Sequence, residues 1–243
     1  MNMTVILKRE LRSYFATPIA YVFIMIFLVL SSVFTFYLGN FFERQQADLI
    51  PFFSFHPWLY LFLVPAISMR LWSEERKTGT LELLMTLPVS RRDIVIGKFL
   101  AAWLFAGLAL LLTFPLWITV NYLGDPDNGV IFASYLGSWL MAGGFLAIGS
   151  CMSAVTRSQV IAFVLCGFVS LLFVMAGFPL VLDAFKGWVP LLVLDALASL
   201  SFLTHFNAVS RGVLSLQDFF YFLSVIAVWL GATSIVLDMK KGE

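Results

Sequence analysis

Hydrophobic positions run along this chain in long unbroken blocks, not in the alternation of a half-buried strand or the single stripe of a surface helix. Five blocks, 19–41, 99–122, 132–155, 160–182 and 219–237, approach or exceed the roughly 20 residues with which a helix crosses about 30 Å of hydrocarbon. A sixth, 52–71, is slightly shorter and contains Pro57 and Pro65. Pro65 is expected to kink it, which a bundle tolerates because neighbouring helices can satisfy the freed backbone groups. The pattern predicts an all-α integral membrane protein with six transmembrane helices in a single domain over 1–243. Small residues recur in the fourth block (Gly137, Ser138, Ala142, Gly143, Gly144, Ala147, Gly149 and Ser150) and predict close helix packing there.

Two segments depart from the blocks. Residues 4–15 read as a short amphipathic helix at the membrane interface, with Lys8, Arg9 and Arg12 outward and Val5, Ile6, Leu7, Leu11 and Phe15 toward lipid; Pro18 then starts the first span. This start is not expected to be a cleavable signal, because its apolar run is too long and no small-x-small site follows in a polar stretch. Residues 183–218 are less regular. Within them 188–204 is apolar, but Pro190 stands near its start and Asp195 at its centre, and its 17 residues rise only about 25 Å. We read 183–218 as a re-entrant or interfacial helical pair on the outer face.

With 61% hydrophobic and 12% charged residues and a mean hydropathy of +0.96, the composition agrees with a protein that lives in lipid. The net charge of +1 says little; its placement says more. Lys8, Arg9, Arg12, Arg70, Arg76, Lys77, Arg91, Arg92, Lys98, Arg157, Lys240 and Lys241, twelve of the fifteen basic residues, fall on the side of the termini, and Arg44, Lys186 and Arg211 fall opposite. By the positive-inside rule both termini are expected in the cytosol.

Several chemistries find no support. The one Gly-Lys pair, Gly97-Lys98, is followed by Phe99 and lacks the upstream glycine of a phosphate-cradling loop, so no nucleotide-binding P-loop is expected. His56 and His205, the only histidines, are far apart and form no metal-ligand spacing; each reads as an interfacial or hydrogen-bonded residue. No G-x-S-x-G elbow marks a serine hydrolase. Cys151 and Cys166 lie in predicted spans and read as small packing residues, with no disulfide or metal framework. Charged residues in the strong spans sit only at their ends, as with Lys98 and Asp238, which disfavours ion-coupled transport through a buried carboxylate.

The densest charge lies in the loop 72–92. There Thr80 can cap a short helix, Glu82 sits in its first turn, and Pro88 ends it. Leu81, Leu84 and Met85 share one face, with Leu83 and Leu87 beside it. Ser90-Arg91-Arg92-Asp93 then forms a capping box that opens the third span. The pattern alone allows two readings: a helix resting on lipid, or a knob seated in a groove of a soluble partner.

The run Glu74-Glu75-Arg76-Lys77-Thr78-Gly79-Thr80-Leu81-Glu82-Leu83-Leu84-Met85-Thr86-Leu87-Pro88-Val89-Ser90 resembles the cytosolic loop of ABC-2-type permeases, the membrane subunits of ABC transporters, and Gly97-Lys98 matches a Gly-Lys that follows it there. The segment from Ser201 through His205 and Arg211 to Asp218 is similar to the gliding-motility-like branch of that family. The resemblance implies a permease that dimerises, pairs with two cytosolic ATPase subunits and sits in the bacterial cytoplasmic membrane. ATP and magnesium would lie on the partner, with no cofactor, catalytic residue or nucleic-acid contact on this chain. It also implies that 75–87 is a coupling helix seated in the ATPase. Glu74, Glu75, Arg76, Gly79 and Glu82 would make contacts there, with Leu81, Leu84 and Met85 as the apolar anchor and Thr156, Arg157 and Ser158 as a smaller second contact. The substrate path is expected at the dimer interface near the first, second and fifth spans. Two activities follow from the resemblance: export of a hydrophobic, lipid-linked or polymeric substrate, or mechanotransmission, in which ATP drives a periplasmic accessory protein.

Overall fold

Helix boundaries follow the prolines and polar caps along the chain. The computed structural model describes residues 3–82, 90–186, 188, 190–213 and 215–239. α1 (Met3–Ala16) stops where Thr17, preceding Pro18, is pushed into extended backbone, and Pro18 then takes the first turn of α2 (Pro18–Val33). α2 runs on into a π-helical turn over Phe34–Leu38. The following segments are α3 (Ile50–Ser54), α4 (His56–Ser68) and α5 (Arg70–Thr78). Next come α6 (Arg91–Leu111), α7 (Phe114–Leu123), α8 (Asn128–Val155), α9 (Gln159–Met175) and α10 (Pro179–Phe185). α11 (Leu191–Ser199), α12 (Phe202–Ser210) and α13 (Leu216–Met239) complete the chain. The expected cap at Ser90 forms, its hydroxyl accepting from the Asp93 amide at 3.1 Å. Asp127 caps α8 in the same way, through the Gly129 and Val130 amides at 2.9 and 3.2 Å.

α8 is the pillar of the bundle. Its 28 residues rise about 42 Å, and α4, α5, α6, α9, α12 and α13 all pack on it. The small residues make this approach achievable. A Cβ on Gly137 would lie 2.6 Å from the Val209 side chain, and one on Gly144 would lie 3.1 Å from the Phe202 ring. On Gly149 it would lie 2.0 Å from the Ser68 hydroxyl. α9 therefore covers the half of α8 near Val155, where Cys166 meets Gly149, and α12 covers the half near Asn128. Trp103 of α6 and Trp139 of α8 stack at 4.3 Å, and each indole N–H donates to the other residue's carbonyl, at 2.8 and 3.2 Å. Such reciprocal bonds satisfy polar groups that lipid could not.

Four helices are long and apolar enough to cross a membrane, Pro18–Leu38, Arg91–Leu123, Asn128–Val155 and Leu216–Met239, and up to six if each bent pair, α9 with α10 and α11 with α12, is one span. The class is the all-α membrane protein that the hydrophobic blocks predict, with two corrections to its spans. The second block, 52–71, is three short helices, α3 to α5, broken at Phe55, two residues before Pro57, and at Met69, while Pro65 lies inside α4. Ser153 of α8 mends the second break: its hydroxyl accepts from the Trp72 and Ser73 amides, both at 3.0 Å, and donates to the Met69 carbonyl at 2.8 Å. The fifth block, 160–182, is no single rod, because α9 and α10 meet at 70° where Pro179 follows an extended Phe178. Gly177 lets Ser201 come so close that a Cβ there would stand 2.4 Å from its hydroxyl.

The segment 183–218 holds the expected helical pair. The bent pair is present, at 67°, yet its two arms differ. α11 exposes Leu191, Leu192, Val193 and Leu197, whereas α12 buries Phe202, Leu203, His205, Phe206 and Val209 against α8 and its neighbours. The interfacial reading fits only the first arm. His205 fastens the second to α13. Its Nε2 donates to the Ser199 carbonyl at 2.9 Å, which can only accept, and its Nδ1 lies 2.5 Å from Asp218 Oδ1. The Ser215 hydroxyl donates to the other Asp218 oxygen at 2.6 Å. His56 is likewise hydrogen-bonded, with Nδ1 2.8 Å from the Ser138 hydroxyl, which Tyr60 reaches at 2.7 Å.

α1 and the last turn of α13 share one end of the bundle. Glu10 of α1 and Asp238 of α13 pair with Lys98 and Arg91 near the start of α6. Asp48, Asp127, Asn207 and Arg211 instead line a cavity of about 520 Å³ formed by the loops at the opposite end.

The close approach at α8 is open to test. Gly149→Leu is expected to cost about 3 kcal/mol or more, because the side chain must displace α4 or α9. Gly231→Ala, with nothing within 4 Å of the added carbon, should keep or raise stability. Thermal unfolding of both variants in detergent would check this, and equal midpoints would show that close packing at Gly149 does not matter.

Candidate functional site

The polar end of the bundle gathers most of the residues that the sequence singled out, and Lys98 organises it. Lys98 stands two turns into α6, with its side chain only 5% exposed. Its ammonium lies 2.7 Å from Glu75 Oε1, 3.3 Å from Glu10 Oε2 and 5.4 Å from the centre of the Trp72 ring. Gly97 beside it brings α1 in: a Cβ there would be 3.0 Å from Ile6, the one fully buried residue of α1. Ile6, Glu10 and Tyr14, each four residues apart, therefore face the protein, and Tyr14 stacks on Phe105 at 5.1 Å. The expected orientation of α1 is corrected in part, since Ile6 meets α6 and not lipid, while Val5 is exposed.

One ammonium serves two carboxylates, and they respond differently. At Glu10 burial pushes the carboxyl up, but Lys98 and Arg9, whose guanidinium donates at 2.6 Å, outweigh it and hold the group below the ordinary carboxylate range. At Glu75 burial wins over Lys98, and the charge on Glu10 adds to it, so the carboxyl lies above that range.

Arg76, the next residue of α5, reaches α8. Its guanidinium donates to the Ala154 and Val155 carbonyls, both at 2.8 Å, at the helix end where the backbone dipole is negative. Those carbonyls directly precede Thr156, Arg157 and Ser158. Ser158 in turn caps α9, accepting from the Ile161 amide at 3.5 Å, and its own amide donates to the Thr156 hydroxyl at 3.1 Å. The structure thus joins the two expected contact segments through one side chain. α5 ends at Gly79, whose φ of +73° is the left-handed C-cap that glycine adopts freely.

Of the remaining candidates, Glu74, Gly79 and Glu82 are exposed. Glu75 points into the ion cluster and Leu81 is buried within this chain, only 9% exposed. The Thr80 hydroxyl turns back to Thr78, at 2.9 Å, and to the Glu75 carbonyl. Leu84 and Met85, in 83–89, and Lys240 and Lys241, in 240–243, lie outside the described residues. Sequence reading missed Lys98 and Glu10 as partners. The available signal was a lysine two turns inside an apolar helix beside the single acid of an amphipathic one.

Replacing Lys98 by methionine would leave the buried Glu75 without its paired cation and Glu10 with Arg9 alone, at a cost of about 3–5 kcal/mol near neutral pH. Removing the cation raises both folded-state pKa values, and a raised group contributes stability that is present at low pH and lost as pH rises through its folded pKa. The gap between variant and wild type should therefore be widest above about pH 7 and narrow toward pH 5. Unfolding midpoints across that range check it; a gap independent of pH would mean that the carboxylates do not depend on Lys98.

No match is found among curated proteins. The family described as ABC-2 family transporter protein, in contrast, matches residues 43–240, from the loop after the first span through the end of α13. This range contains the Arg76 junction, Lys98 with its partner Glu75, and α4, α5, α6, α9, α12 and α13, which pack on α8; Glu10 and the rest of α1 lie before it. The chain belongs to the ABC-2 transporter family and is a membrane subunit of an ABC transporter.

Proposed function

We propose that the chain works as a dimer with two separate ATPase subunits, in a bacterial cytoplasmic membrane with both termini cytosolic, as an exporter of a hydrophobic, lipid-linked or polymeric substrate. The observation that carries the reading is the Arg76 bridge. Of the two segments that the family resemblance offers to an ATPase, the described residues 74–82 of the first and 156–158 lie at one end of the bundle, and a guanidinium on the first grips the backbone just before the second. A push on α5 therefore moves the end of α8, the helix on which most others pack. The asymmetry of positive charge supports a cytosolic position for that end. ATP chemistry belongs to the partner in this reading, and Glu74, Glu82 and the anchor Leu84 and Met85 meet it. Glu75 and Leu81 hold the loop from within.

The exposed face of α2, with Ile19, Val22, Met25, Ile26, Val29 and Val33, supports a dimer seam or substrate path along the first span, since only Ala20, Phe27 and Ser31 of that helix are buried.

If Leu84 is an anchor, Leu84→Arg buries an unpaired charge in the partner groove. A loss of about 3 kcal/mol weakens association more than a hundredfold. The variant should insert and dimerise normally, yet fail to capture its ATPase in a pull-down or stimulate hydrolysis. Retained capture would favour the loop resting on lipid. The purified chain alone should bind no ATP by calorimetry, and tight binding would overturn the assignment of ATP chemistry to a partner.

A further inference from the structure

Beside the Lys98 cluster a polar cavity of about 490 Å³ opens between α1, α5 and α6, within the roughly 300–1,000 Å³ of small-molecule sites. Its charged lining is Arg9, Arg70 and Lys98 against Glu10, Glu74 and Glu75, so the formal charges cancel. Most of these groups answer one another. Arg9 pairs with Glu10, and Lys98 with Glu10 and Glu75. Two atoms do not. Arg70 Nε, a donor, and Glu75 Oε2, an acceptor, are buried without a hydrogen-bond partner. Leaving such groups unmade costs on the order of 1–3 kcal/mol each, so a donor and an acceptor orphaned in one cavity mark a place where a ligand with both functions is missing.

The cavity has an apolar continuation. A groove of about 210 Å³ shares Tyr14, Thr17 and Arg70 with it and continues between α2 and α4 along Ile19, Phe23, Ile26 and Leu63. From Thr17 to Ile26 it follows α2 for about 13 Å into the apolar zone. A polar chamber at the helix ends that opens onto an apolar groove matches an amphiphile, its head at the interface and one chain along the helix. Charge decides the head group. An isolated anion or cation would upset a balanced lining, whereas a zwitterion with a phosphate and an amine supplies an acceptor for Arg70 and a donor for Glu75.

We propose that this elbow is a binding site for a zwitterionic bilayer phospholipid with a primary amine, its phosphate on Arg70, its ammonium N–H on Glu75 Oε2 and an acyl chain in the groove between α2 and α4. The N–H matters, because a quaternary ammonium carries the same charge but cannot donate to a buried oxygen. The site does not depend on the proposed pairing with an ATPase. It would hold α1 against α5 and make this junction sensitive to the headgroups around it.

The test uses the full chain, purified and delipidated, with native mass spectrometry of lipid adducts. Phosphatidylethanolamine, its N-monomethyl and N,N-dimethyl forms, phosphatidylcholine and phosphatidylglycerol, all with identical acyl chains, are offered at equal concentration. The expected result is at least tenfold more phosphatidylethanolamine than phosphatidylcholine retained, with the largest drop at the last methyl, where no N–H remains. Glu75→Gln should bring the two lipids within twofold while the protein elutes as before, and Arg70→Leu should lower retention of every phospholipid. Should Glu75→Gln fail to fold, the methylation series on the wild-type chain decides alone. Equal retention of all headgroups, which would mean annular lipid only, or preference for phosphatidylglycerol, or an unchanged amine preference in Glu75→Gln, overturns the proposal. No ATPase enters the assay, so its failure leaves the transporter reading untouched.

Discussion

The distance at which backbones can pass α8 sets the geometry of everything around it. In lipid no hydrophobic drive pulls helices together, because the tails are as apolar as leucine, so association rests on close van der Waals contact and on hydrogen bonds that have no water to compete with them. α8 supplies both. Its glycines admit Val209, Phe202 and Ser68 to distances that a single methyl group would forbid. Its serines, bared by the same lack of bulk, reach the backbone and side chains of neighbours: Ser153 at the broken turn before Trp72, Ser150 at the Trp72 indole at 3.0 Å, Ser138 at His56. Ser153 in this way satisfies the backbone groups freed at the break between α4 and α5.

A second constraint acts at the polar end, where the lipid no longer shields charge but the protein still does. Lys98 could reach water from a helix end, as long basic side chains commonly do. It is instead roofed by α1 and faced by α5, so it must be paired, and two carboxylates from two different helices pair with it. An ammonium held between Glu10 and Glu75 makes the position of α1 depend on that of α5. The differing responses of the carboxyls follow from geometry. Glu10 has Arg9 as a second cation, whereas Glu75 has only a shared one, with one oxygen left over.

How much of this was legible in the sequence depends on whether a feature is local. The Ser90 cap, the close packing of the fourth block and four of the six hydrophobic blocks as long helices depend on residues near one another in sequence, and these are present in the fold. The bends are not local. Pro179 announces a break, but only Ser201 lying against Gly177 explains why the chain folds back there and does not merely kink. The apolar composition of α12 could suit lipid or core, and Phe202 meeting Phe145, Phe173 and Phe222 chose the core. At the site, Glu75 matched the family run and was read as outward, because a motif gives the order of residues and not the side of the helix that a lysine 23 positions later will claim.

The Arg76 bridge brings these constraints together. A guanidinium at a helix C-terminus gains from the dipole, and here it gains two carbonyls at once, so α5 and α8 move as one body at their polar ends. α5 is also tied to α6 and α1 through Lys98, and α6 to α8 through the paired tryptophans. α1, α5, α6 and α8 thus form a closed circuit of contacts that runs from the Lys98 end toward the middle of the bundle, while α2 touches it along a single narrow stripe. A force applied to the loop after Gly79 would therefore shift that circuit as a block. α2, with most of its surface uncommitted, is the element against which the block can slide.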